Sequence, residues 1–495
     1  MKKHCAVKAG LQKTEGMNRD VGSSDFISNL PDCILSCITG RLSMKDAVRT
    51  SVLSKKWKYV WTSATGLDMN EDCFCLNNQN GWRNERRIST EDKRKKMVKA
   101  VSHVFNSHIG HIEKFQLLFN PGIYTSHVDQ WISFLTCSGA QEVDLDFRFQ
   151  LKKFVVNFYR LPSYFFDCES LRVLTLQNCL IQLPVDFKGF KSLAVLVLSG
   201  VYIQGSHLEG LVSKCERLQS LTLQNAWGFK FIKIRSPLKS LQCLTIDNNC
   251  RVSLCEVLVD APNLLSLNVT GYMSNHFNVH ALVFNFPRLV NFSCTCVSHS
   301  PFTLDGEQAD VLVMVLKKLA YVENMSLLGS FIKLCIGRSN FPVFGNLRKL
   351  SIKVDMTQPL EVTEFTCFLK SCPSLKELVI WCDEPLGKKY SSGLWENVEP
   401  TDCIIHHLER VVINDFSGEE DGMGFMNFLL KNARVLKKIT VNFNKGLWKD
   451  TQELALRGLK RLERADGHVE LLIGYVSFWD DYILIRKCAG STCTS

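Results

Sequence analysis

The sequence has no apolar run of the length that a membrane span requires. Its first residues, MKKHCAVKAGLQKTEGMNRD, carry a few positive charges but no apolar stretch of the kind that a secretory signal needs. We therefore expect no membrane partner and a chain that works in the nucleus or the cytoplasm. The composition, 46% hydrophobic and 22% charged residues, is that of an ordinary globular protein.

The motifs of common enzyme classes are also missing. No G-x-x-x-x-G-K-[ST], G-x-S-x-G or H-E-x-x-H occurs, so nucleotide hydrolysis, α/β-hydrolase chemistry and zinc proteolysis have no motif to support them. The 21 cysteines lack the spacing of secreted domains, and disulfides are not expected. Short pairs of metal-ligand type are Cys73-x-Cys75, Cys294-x-Cys296 and His406-His407. Their spacing does not fit zinc knuckles, so we expect thiols in cores or loops, no metal, no cofactor and no catalysis.

Positive charge is concentrated near the start of the chain. The formal net charge is +10, and residues 1–100 hold 19 Lys and Arg against 11 Asp and Glu, which leaves 40 against 38 in the remainder. Proteins that bind nucleic acid gain most of their affinity from phosphate contacts along a basic surface, so this nearly neutral body predicts no nucleic-acid partner. The basic run at 93–96 can serve nuclear import, but the apolar residues at helical spacing after it favour a solvated helix face.

Three short helices can be placed on residues 25–61 from their caps and apolar spacing. Pro31 suits the first position of a helix, because its missing N–H would have no partner there. Ser43 followed by Asp46 resembles a capping box that opens a second helix. Ser54 can cap a third helix with two tryptophans on one face. A unit of about 40 residues buries too little surface to be stable alone, so a partner or the rest of the chain is expected to complete it.

The order of residues in this module closely resembles the plant-type F-box. The matching positions are Leu30-Pro31, Ile34-Leu35, Ile38, Leu42, Ala47, Val48, Ser51, Leu53-Ser54, Lys56-Trp57 and Trp61. The resemblance implies that the module docks on a Skp-type adaptor, which links it to a cullin and a RING subunit. The adaptor-binding residues that it implies are Leu30, Pro31, Ile34, Leu35, Ile38, Val48, Leu53 and Trp57, the last as a brace for the third helix. The opposing interpretation is an ordinary three-helix core.

Basic side chains accompany these apolar positions, and they would suit an acidic partner and speed its association. They are Arg41, Lys45, Arg49, Lys55 and Lys56.

Beyond residue 100 the chain repeats one phrase: an apolar residue, two variable residues, then apolar, variable, apolar. The clearest copies begin at Leu171, Leu193, Leu218, Leu241, Leu264, Leu289, Leu347, Leu375, Leu408 and Leu436, and weaker copies lie at Ile112, around Val143 and around Met325. Alternate side chains of a strand point to opposite faces, so the leucines are expected to face a core. One coil cannot bury them alone, and the copies therefore predict a stacked solenoid with a parallel sheet. Small or amide side chains that can satisfy backbone groups are expected at its turns, at Cys179, Asn225, Asn248 and Asn249.

Nearly the whole chain resembles the plant F-box, FBD and leucine-rich-repeat family. The FBD part of the resemblance rests on Trp395, Pro400, Cys403, Leu408, 411–413, Phe416, Phe425, Phe428, Leu429, Asn432, Ala433 and Leu436-Lys437, although Met423-Gly424 replaces an acidic pair that is usual there. It implies an α/β repeat fold: an N-terminal three-helix F-box, then a leucine-rich-repeat solenoid (horseshoe) that ends in an FBD region. The expected boundaries are a flexible basic tail at 1–22, the F-box at 23–66, a linker with the first helix at 67–100, the solenoid at 101–390, the FBD domain with terminal repeats at 391–474 and a C-terminal tail at 475–495.

The function implied by the resemblance is that of a substrate-recognition subunit of a Skp-cullin-F-box ubiquitin ligase, which itself performs no catalysis. The repeats would bind an unknown target protein for ubiquitination. One alternative is an F-box interaction protein that acts without an active ligase. Another is a small-molecule receptor that uses the solenoid, but a polyphosphate would need clustered basic residues on successive strands, and the variable positions hold mixed Thr, Gln, Ser, Arg and Val.

Overall fold

Each copy of the repeated phrase forms a strand of one long parallel sheet. The structure, a computed structural model, describes residues 26–70, 90–148, 158–229, 231–234, 238–248, 256–272, 282–284, 286–297, 314–337, 340–382, 393–444, 453, 455–459 and 469–475. Its strands are β1 (Gly66–Asn70), β2 (Lys114–Leu118), β3 (Glu142–Asp146), β4 (Tyr159–Arg160), β5 (Val173–Gln177), β6 (Cys179–Ile181), β7 (Val195–Ser199), β8 (Tyr202–Ile203), β9 (Ser220–Gln224), β10 (Phe231–Ile234), β11 (Cys243–Asn248), β12 (Glu256–Val259), β13 (Ser266–Tyr272), β14 (Leu282–Phe284), β15 (Asn291–Val297), β16 (Asn324–Gly329), β17 (Lys349–Val354), β18 (Glu377–Cys382), β19 (Arg410–Phe416), β20 (Lys438–Phe443) and β21 (Glu470–Tyr475).

The main sheet has 15 strands in the order β1-β2-β3-β5-β7-β9-β11-β13-β15-β16-β17-β18-β19-β20-β21, and its neighbouring strands are parallel. Two small sheets, β4-β6-β8 and β10-β12-β14, accompany it. The α-helices are α1 (Asp32–Thr39), α2 (Met44–Arg49), α3 (Thr90–Ser107), α4 (Thr125–Ser138), α5 (Gly205–Ser213), α6 (Phe331–Cys335), α7 (Pro359–Lys370), α8 (Asp402–His406) and α9 (Glu420–Asn432). The predicted fold class, a helical F-box module followed by an α/β repeat solenoid, is confirmed.

The core runs along the inner face of the main sheet. In β5, β7 and β9 the residues alternate between partly buried and buried, as the period of a strand requires. The strands stack in register, so that Leu174, Leu196, Leu221, Leu244 and Leu267 form one continuous row of buried side chains. Each coil therefore buries its leucines against the leucines of its neighbours, as the repeated phrase predicts. We call the opposite, partly exposed face of the main sheet the open face.

Asparagines allow the chain to turn after two of the strands. Asn178 and Asn225 have φ angles of 57° and 48°, in the left-handed region that asparagine adopts more easily than most residues. Asn225 was predicted at such a turn, whereas at the earlier turn Asn178 takes the place expected for Cys179. Cys179 instead lies buried in β6, and burial raises the pKa of its thiol. Asn248 is the last residue of β11, and Asn249 lies outside the described residues.

Side chains just before the strands connect successive coils. The Ser170 hydroxyl donates to the carbonyl of Ala140, the Ser240 hydroxyl donates to the carbonyl of Glu216, and each hydrogen bond is 2.8 Å long. The Asn263 amide makes an equivalent 2.8 Å bond one coil later. Each bond satisfies a backbone carbonyl that the parallel ladder does not use, and so fixes the distance between coils.

Replacing Gly189 by alanine is expected to destabilise the solenoid. Gly189 has a φ of 94°, and a Cβ atom there would clash with the carbonyl oxygen of Lys214 in the next coil. We expect the free energy of unfolding to fall by more than about 1 kcal/mol. The midpoint of urea denaturation measures the effect. Gly345→Ala is the matched control, because a Cβ at Gly345 meets no described atom within 4 Å, and an equal loss in both variants would contradict the prediction.

The F-box module joins the solenoid without a spacer. Within the segment 67–100, expected to be a linker with the first helix, residues 67–70 belong to β1, which begins at Gly66 and pairs with β2 along its whole length. These residues form a strand of the main sheet because Leu67 and Met69 both point into the core, where their side chains are almost completely buried. Residues 71–89, which belong to the expected linker, and the predicted tails at 1–22 and beyond Tyr475 lie outside the described residues.

Aromatic side chains hold the last coils together. The ring of Trp395 lies 4.6 Å from the ring of Phe425 and 5.4 Å from that of Phe428, and Phe365 of α7 lies 6.3 Å from Phe425. The FBD signature residues among them therefore build core. Gly424, which departs from the FBD pattern, lies beside Trp395, and a Cβ atom at this position would be in van der Waals contact with that side chain.

Candidate functional site

Local capping sets the shape of the F-box module. Pro31 is the N-cap of α1, one residue before the position predicted for it. The Ser43 hydroxyl caps α2 by accepting the backbone N–H of Asp46 at 3.3 Å, and it donates to the Asp46 carboxylate at 2.9 Å. This bond is the first cause of the lowered pKa of Asp46, with Arg49 adding to it. The predicted third helix is a 3-10 helix, Trp57–Ser63, preceded by a one-turn 3-10 helix, Thr50–Val52.

The interior of the module is a small cluster of its own. Leu35, Trp57 and Val60 are buried together, and Leu30 packs against them partly buried. The Trp57 indole donates to the Ser28 hydroxyl at 3.1 Å, which fixes the 3-10 helix against the segment before α1. Leu35 and Trp57, which the sequence placed among the adaptor contacts, therefore support the surface from beneath.

A second face of the module packs on the solenoid. Met44, Ala47 and Trp61 are buried in the main core, together with Leu67 and Met69 of β1. The alternative of a self-contained three-helix core is therefore incomplete, since part of the module's apolar surface is covered by its own chain.

The remaining face of the module is apolar and exposed. Eight of the 21 large apolar side chains that are exposed in the described chain lie between residues 26 and 59. We call them the docking face: Phe26, Ile27, Ile34, Ile38, Val48, Val52, Leu53 and Tyr59. Exposed apolar side chains concentrated in one small module indicate an interaction site, and Val52, 87% exposed, gains nothing from the fold around it.

The docking face includes four of the residues that the sequence predicted for the adaptor. They are Ile34, Ile38, Val48 and Leu53, and Pro31 is also exposed beside them. Sequence reasoning missed four others: Phe26, Ile27, Val52 and Tyr59. Their signal was weak, because Phe26 and Ile27 precede the first helix and Val52 lies in a 3-10 turn without helical periodicity. Adaptor contact by these side chains stays a prediction.

Basic residues surround the docking face. Arg49 pairs with Asp46 at 3.3 Å and Lys56 with Asp32 at 3.3 Å, in both cases on the exposed surface. Arg41 and Lys55 are exposed and have no ion pair within the described part of the chain. An apolar surface with a positive rim is complementary to an apolar partner with an acidic rim.

The open face is a second candidate surface, and its polar residues form ladders across strands. Ser199 donates to the Gln224 amide oxygen at 3.3 Å, and the Gln224 amide donates to Asp247 at 3.3 Å. Nearer the F-box, desolvation raises the pKa of Asp144 despite a hydrogen bond from Gln177. The neutral and acidic side chains in this region offer hydrogen bonds to a polar ligand.

Ion pairs replace the amides in the later coils. Glu377 lies 2.7 Å from Lys349 and 3.0 Å from Arg410, so the carboxylate bridges cations on both neighbouring strands. Partial burial would raise the pKa of Glu377, but the hydrogen bonds and charges of Lys349 and Arg410 outweigh it and leave this pKa below its usual value.

Removing the Glu377 carboxylate is expected to change how stability depends on pH. A carboxyl group whose folded-state pKa is lowered stabilises above its unfolded-state pKa and loses that contribution as pH falls through the folded-state value. Glu377→Gln should therefore cost at most about 1 kcal/mol at pH 7, because the site is partly exposed. This deficit should vanish in acid, as measured by urea midpoints from pH 7 to about pH 3. Glu399→Gln, at an exposed carboxylate, is the control, and a deficit that persists in acid would contradict the assignment.

Among the described residues, the pairs of metal-ligand type do not form a metal site. The His406 and His407 rings lie 6.5 Å apart, and His406 is 3.7 Å from Asp402 at the opposite end of the short helix α8. Cys73 and Cys75 lie outside the described residues, and the side chain of Cys296 does too. Over the described ranges, no three His, Cys, Asp or Glu residues are grouped as metal ligands. Within the same ranges no helix combines the length and apolar character needed to cross a bilayer.

The exposed helical module and the stacked parallel coils define an F-box protein with a leucine-rich-repeat solenoid. Residues 27–65 match the model of the F-box domain, and residues 104–460 match the model described as the At1g61320/AtMIF1 LRR domain. The chain belongs to the plant F-box/FBD/LRR-repeat family. F-box domains generally bind Skp1-type adaptors, and proteins of this kind are typically adaptors or receptors.

Relatives of similar length occur in Arabidopsis thaliana. F-box/FBD/LRR-repeat protein At1g13570 is 30% identical over 430 residues, which cover 85% of this chain and 91% of the relative. F-box/LRR-repeat protein 13 is 27% identical, with 84% of this chain and 89% of the relative covered. FBD-associated F-box protein At1g66310 is 25% identical, with 85% and 90% covered.

Proposed function

We propose that the chain is the substrate-recognition subunit of a Skp-cullin-F-box ubiquitin ligase. Its docking face binds the Skp-type adaptor and, through that adaptor, joins a cullin and a RING subunit. The open face binds a target protein. The observation that carries the proposal is the division of the F-box module: Met44, Ala47 and Trp61 pack on the solenoid, while the docking face around Ile34 and Leu53 is left exposed.

The chain contributes binding energy to this reaction. A captured protein held beside the conjugating enzyme presents its lysines at a high effective concentration, which raises the rate of transfer without any catalytic group on the receptor. The expected site of this work is the nucleus or the cytoplasm, and the free thiols at the described cysteines are compatible with those reducing compartments.

Co-purification tests the proposal in two stages. The full chain, tagged at its C-terminus, should recover a Skp-type adaptor, a cullin and a RING subunit. Proteins captured by the open face should then accumulate when the proteasome is inhibited. Recovery of the adaptor with neither cullin nor stabilised clients would support an interaction protein without ligase activity, and failure to recover any adaptor would remove the proposal altogether.

A further inference from the structure

A polar groove lies at the edge of the main sheet where β5, β7 and β9 begin. Its volume is about 550 Å³, and the residues that line it include Arg172, Arg217, Gln141, Gln219 and Ser192. Among the described residues, the groove is lined by no acidic side chain. The coils thus present several hydrogen-bond donors and two positive charges to one space.

Arg172 lacks the acidic neighbour that equivalent cations have elsewhere in the sheet. Lys376 and Lys437 occupy the same position before their strands, and both pair with Glu409, at 3.5 and 2.7 Å. The register neighbours of Arg172 are Gln141 and Ala194, which are neutral. The Arg172 side chain has no ion pair in the described part of the chain. Its charge is therefore available to a ligand.

Arg217 and Ser192 occupy the position that connects coils elsewhere. In neighbouring coils this position holds Ser170 and Ser240, whose hydroxyls donate hydrogen bonds to backbone carbonyls of the preceding coil. The Ser192 hydroxyl and the Arg217 guanidinium make no such bond to any described residue. Two adjacent coils thus leave their donors unused, and they do so on the same groove.

The geometry allows both arginines to reach one group. Arg172 precedes β5 by one residue and Arg217 precedes β9 by three. With strands about 4.8 Å apart and a rise of about 3.3 Å per residue, their Cα atoms are separated by roughly 12 Å, with the start of β7 between them. The residue between them is Ala194, whose short side chain leaves the centre of the groove open. Of the acidic residues next to groove residues in the sequence, Glu142 pairs with Lys114 at 3.4 Å and Glu169 with Lys191 at 2.6 Å. Glu216, which precedes Arg217, is exposed and does not line the groove.

We propose that this groove binds a phosphate group on a serine or threonine of the captured protein. A phosphate monoester carries close to two negative charges and three acceptor oxygens, which suit two forked guanidinium donors with a hydroxyl and amides beside them. A carboxylate has one charge and two acceptors and would leave donors unsatisfied. That the phosphate belongs to a captured protein rests on the proposed function, but the binding of phosphate to the groove does not.

Titration of the purified full chain with N-acetyl-phosphoserine amide tests the groove directly. Binding is followed by ³¹P line broadening, with inorganic phosphate as competitor. We expect saturable binding that weakens about tenfold in Arg172→Gln and in Arg217→Gln, because each removes a charged hydrogen-bond donor, and no measurable binding in the double variant. Arg172→Lys keeps the charge but loses the fork, so it should weaken binding less than Arg172→Gln does. Ala194→Glu should abolish binding by placing a carboxylate in the groove.

Arg410→Gln is the matched control. Arg410 is the first residue of β19 and so lies at the same edge of the main sheet, but it is already paired with Glu377. It should bind phosphoserine as the wild type does. The absence of saturable broadening in the wild type, or an equal loss in Arg410→Gln, would overturn the proposal. Equal competition by N-acetyl-glutamate amide would overturn the choice of phosphate over carboxylate. Adaptor recovery should be unchanged in Arg172→Gln/Arg217→Gln, which separates a failure of the groove from a failure of the ligase assignment.

Discussion

Replacing Ile34 and Leu53 together with aspartate is expected to abolish recovery of the Skp-type adaptor. Both side chains are exposed, at 44% and 61%, on the docking face. Buried anchors at a protein interface typically contribute about 2 kcal/mol or more each, so the double variant should lose roughly a thousandfold in affinity, and two desolvated carboxylates would add to the loss. Surface plasmon resonance between the full chain and the purified adaptor measures the change.

The fold should be unaffected by this double replacement, because neither side chain belongs to a buried cluster. Val185→Asp is the matched control: Val185 is fully exposed in the solenoid, far along the chain from the F-box. It should bind the adaptor normally. Leu35→Ala provides the contrast of a buried residue, since it should weaken binding only together with a loss of helical signal from the module. Normal adaptor binding by Ile34→Asp/Leu53→Asp would remove the docking face from the proposed interface.

Truncation of Phe365 to alanine is expected to produce the largest loss of stability. Phe365 is completely buried on α7, where it contacts Trp395 and Phe425 in the aromatic cluster of the last coils. A buried phenylalanine replaced by alanine costs about 3–5 kcal/mol, from lost burial and from the cavity that remains. Each repeat contacts only its neighbours, so the last coils have few other contacts that could compensate for the lost packing.

Leu360→Ala is the matched control for this substitution. It lies on the same helix, and its side chain is 63% exposed, so the expected cost is within about 0.5 kcal/mol. Urea denaturation gives the total change, and hydrogen exchange locates it, since a multi-coil array can open from one end. Faster exchange confined to the F-box end in Phe365→Ala would contradict the role assigned to the cluster.

The repeated phrase predicted most of the main sheet because every coil must bury the alternating apolar side chains of its strand against the neighbouring coils. The strands that follow Leu171, Leu193, Leu218 and the later copies are β5, β7, β9 and their successors. The two end strands were missed for a common reason. β1 has only Leu67 and Met69 as apolar residues, and β21 pairs on one side only, where Leu472 and Ile473 are partly exposed. An edge strand with a neighbour on one side only does not need the full apolar repeat by which the other strands were predicted.

The docking face could be predicted only in part. Spacing and resemblance indicated which residues of the F-box are apolar and ordered, but they could not separate Leu35, which is buried, from Ile34, which is exposed, although the two are adjacent in α1. That distinction depends on where Trp57 and Val60 pack, which is a tertiary contact. The groove between Arg172 and Arg217 could not be predicted at all, because it forms only when three coils stack in register.

The pairing of β1 with β2 has a mechanical consequence for a receptor. The first strand of the array begins three residues after the Trp57–Ser63 helix. The F-box module is therefore connected to the solenoid through the hydrogen bonds between β1 and β2. Because each strand adds about 4.8 Å along the sheet, the coil to which a captured protein binds would determine the distance between that protein and the adaptor. Receptors of this construction would select lysines by where the client sits along the array.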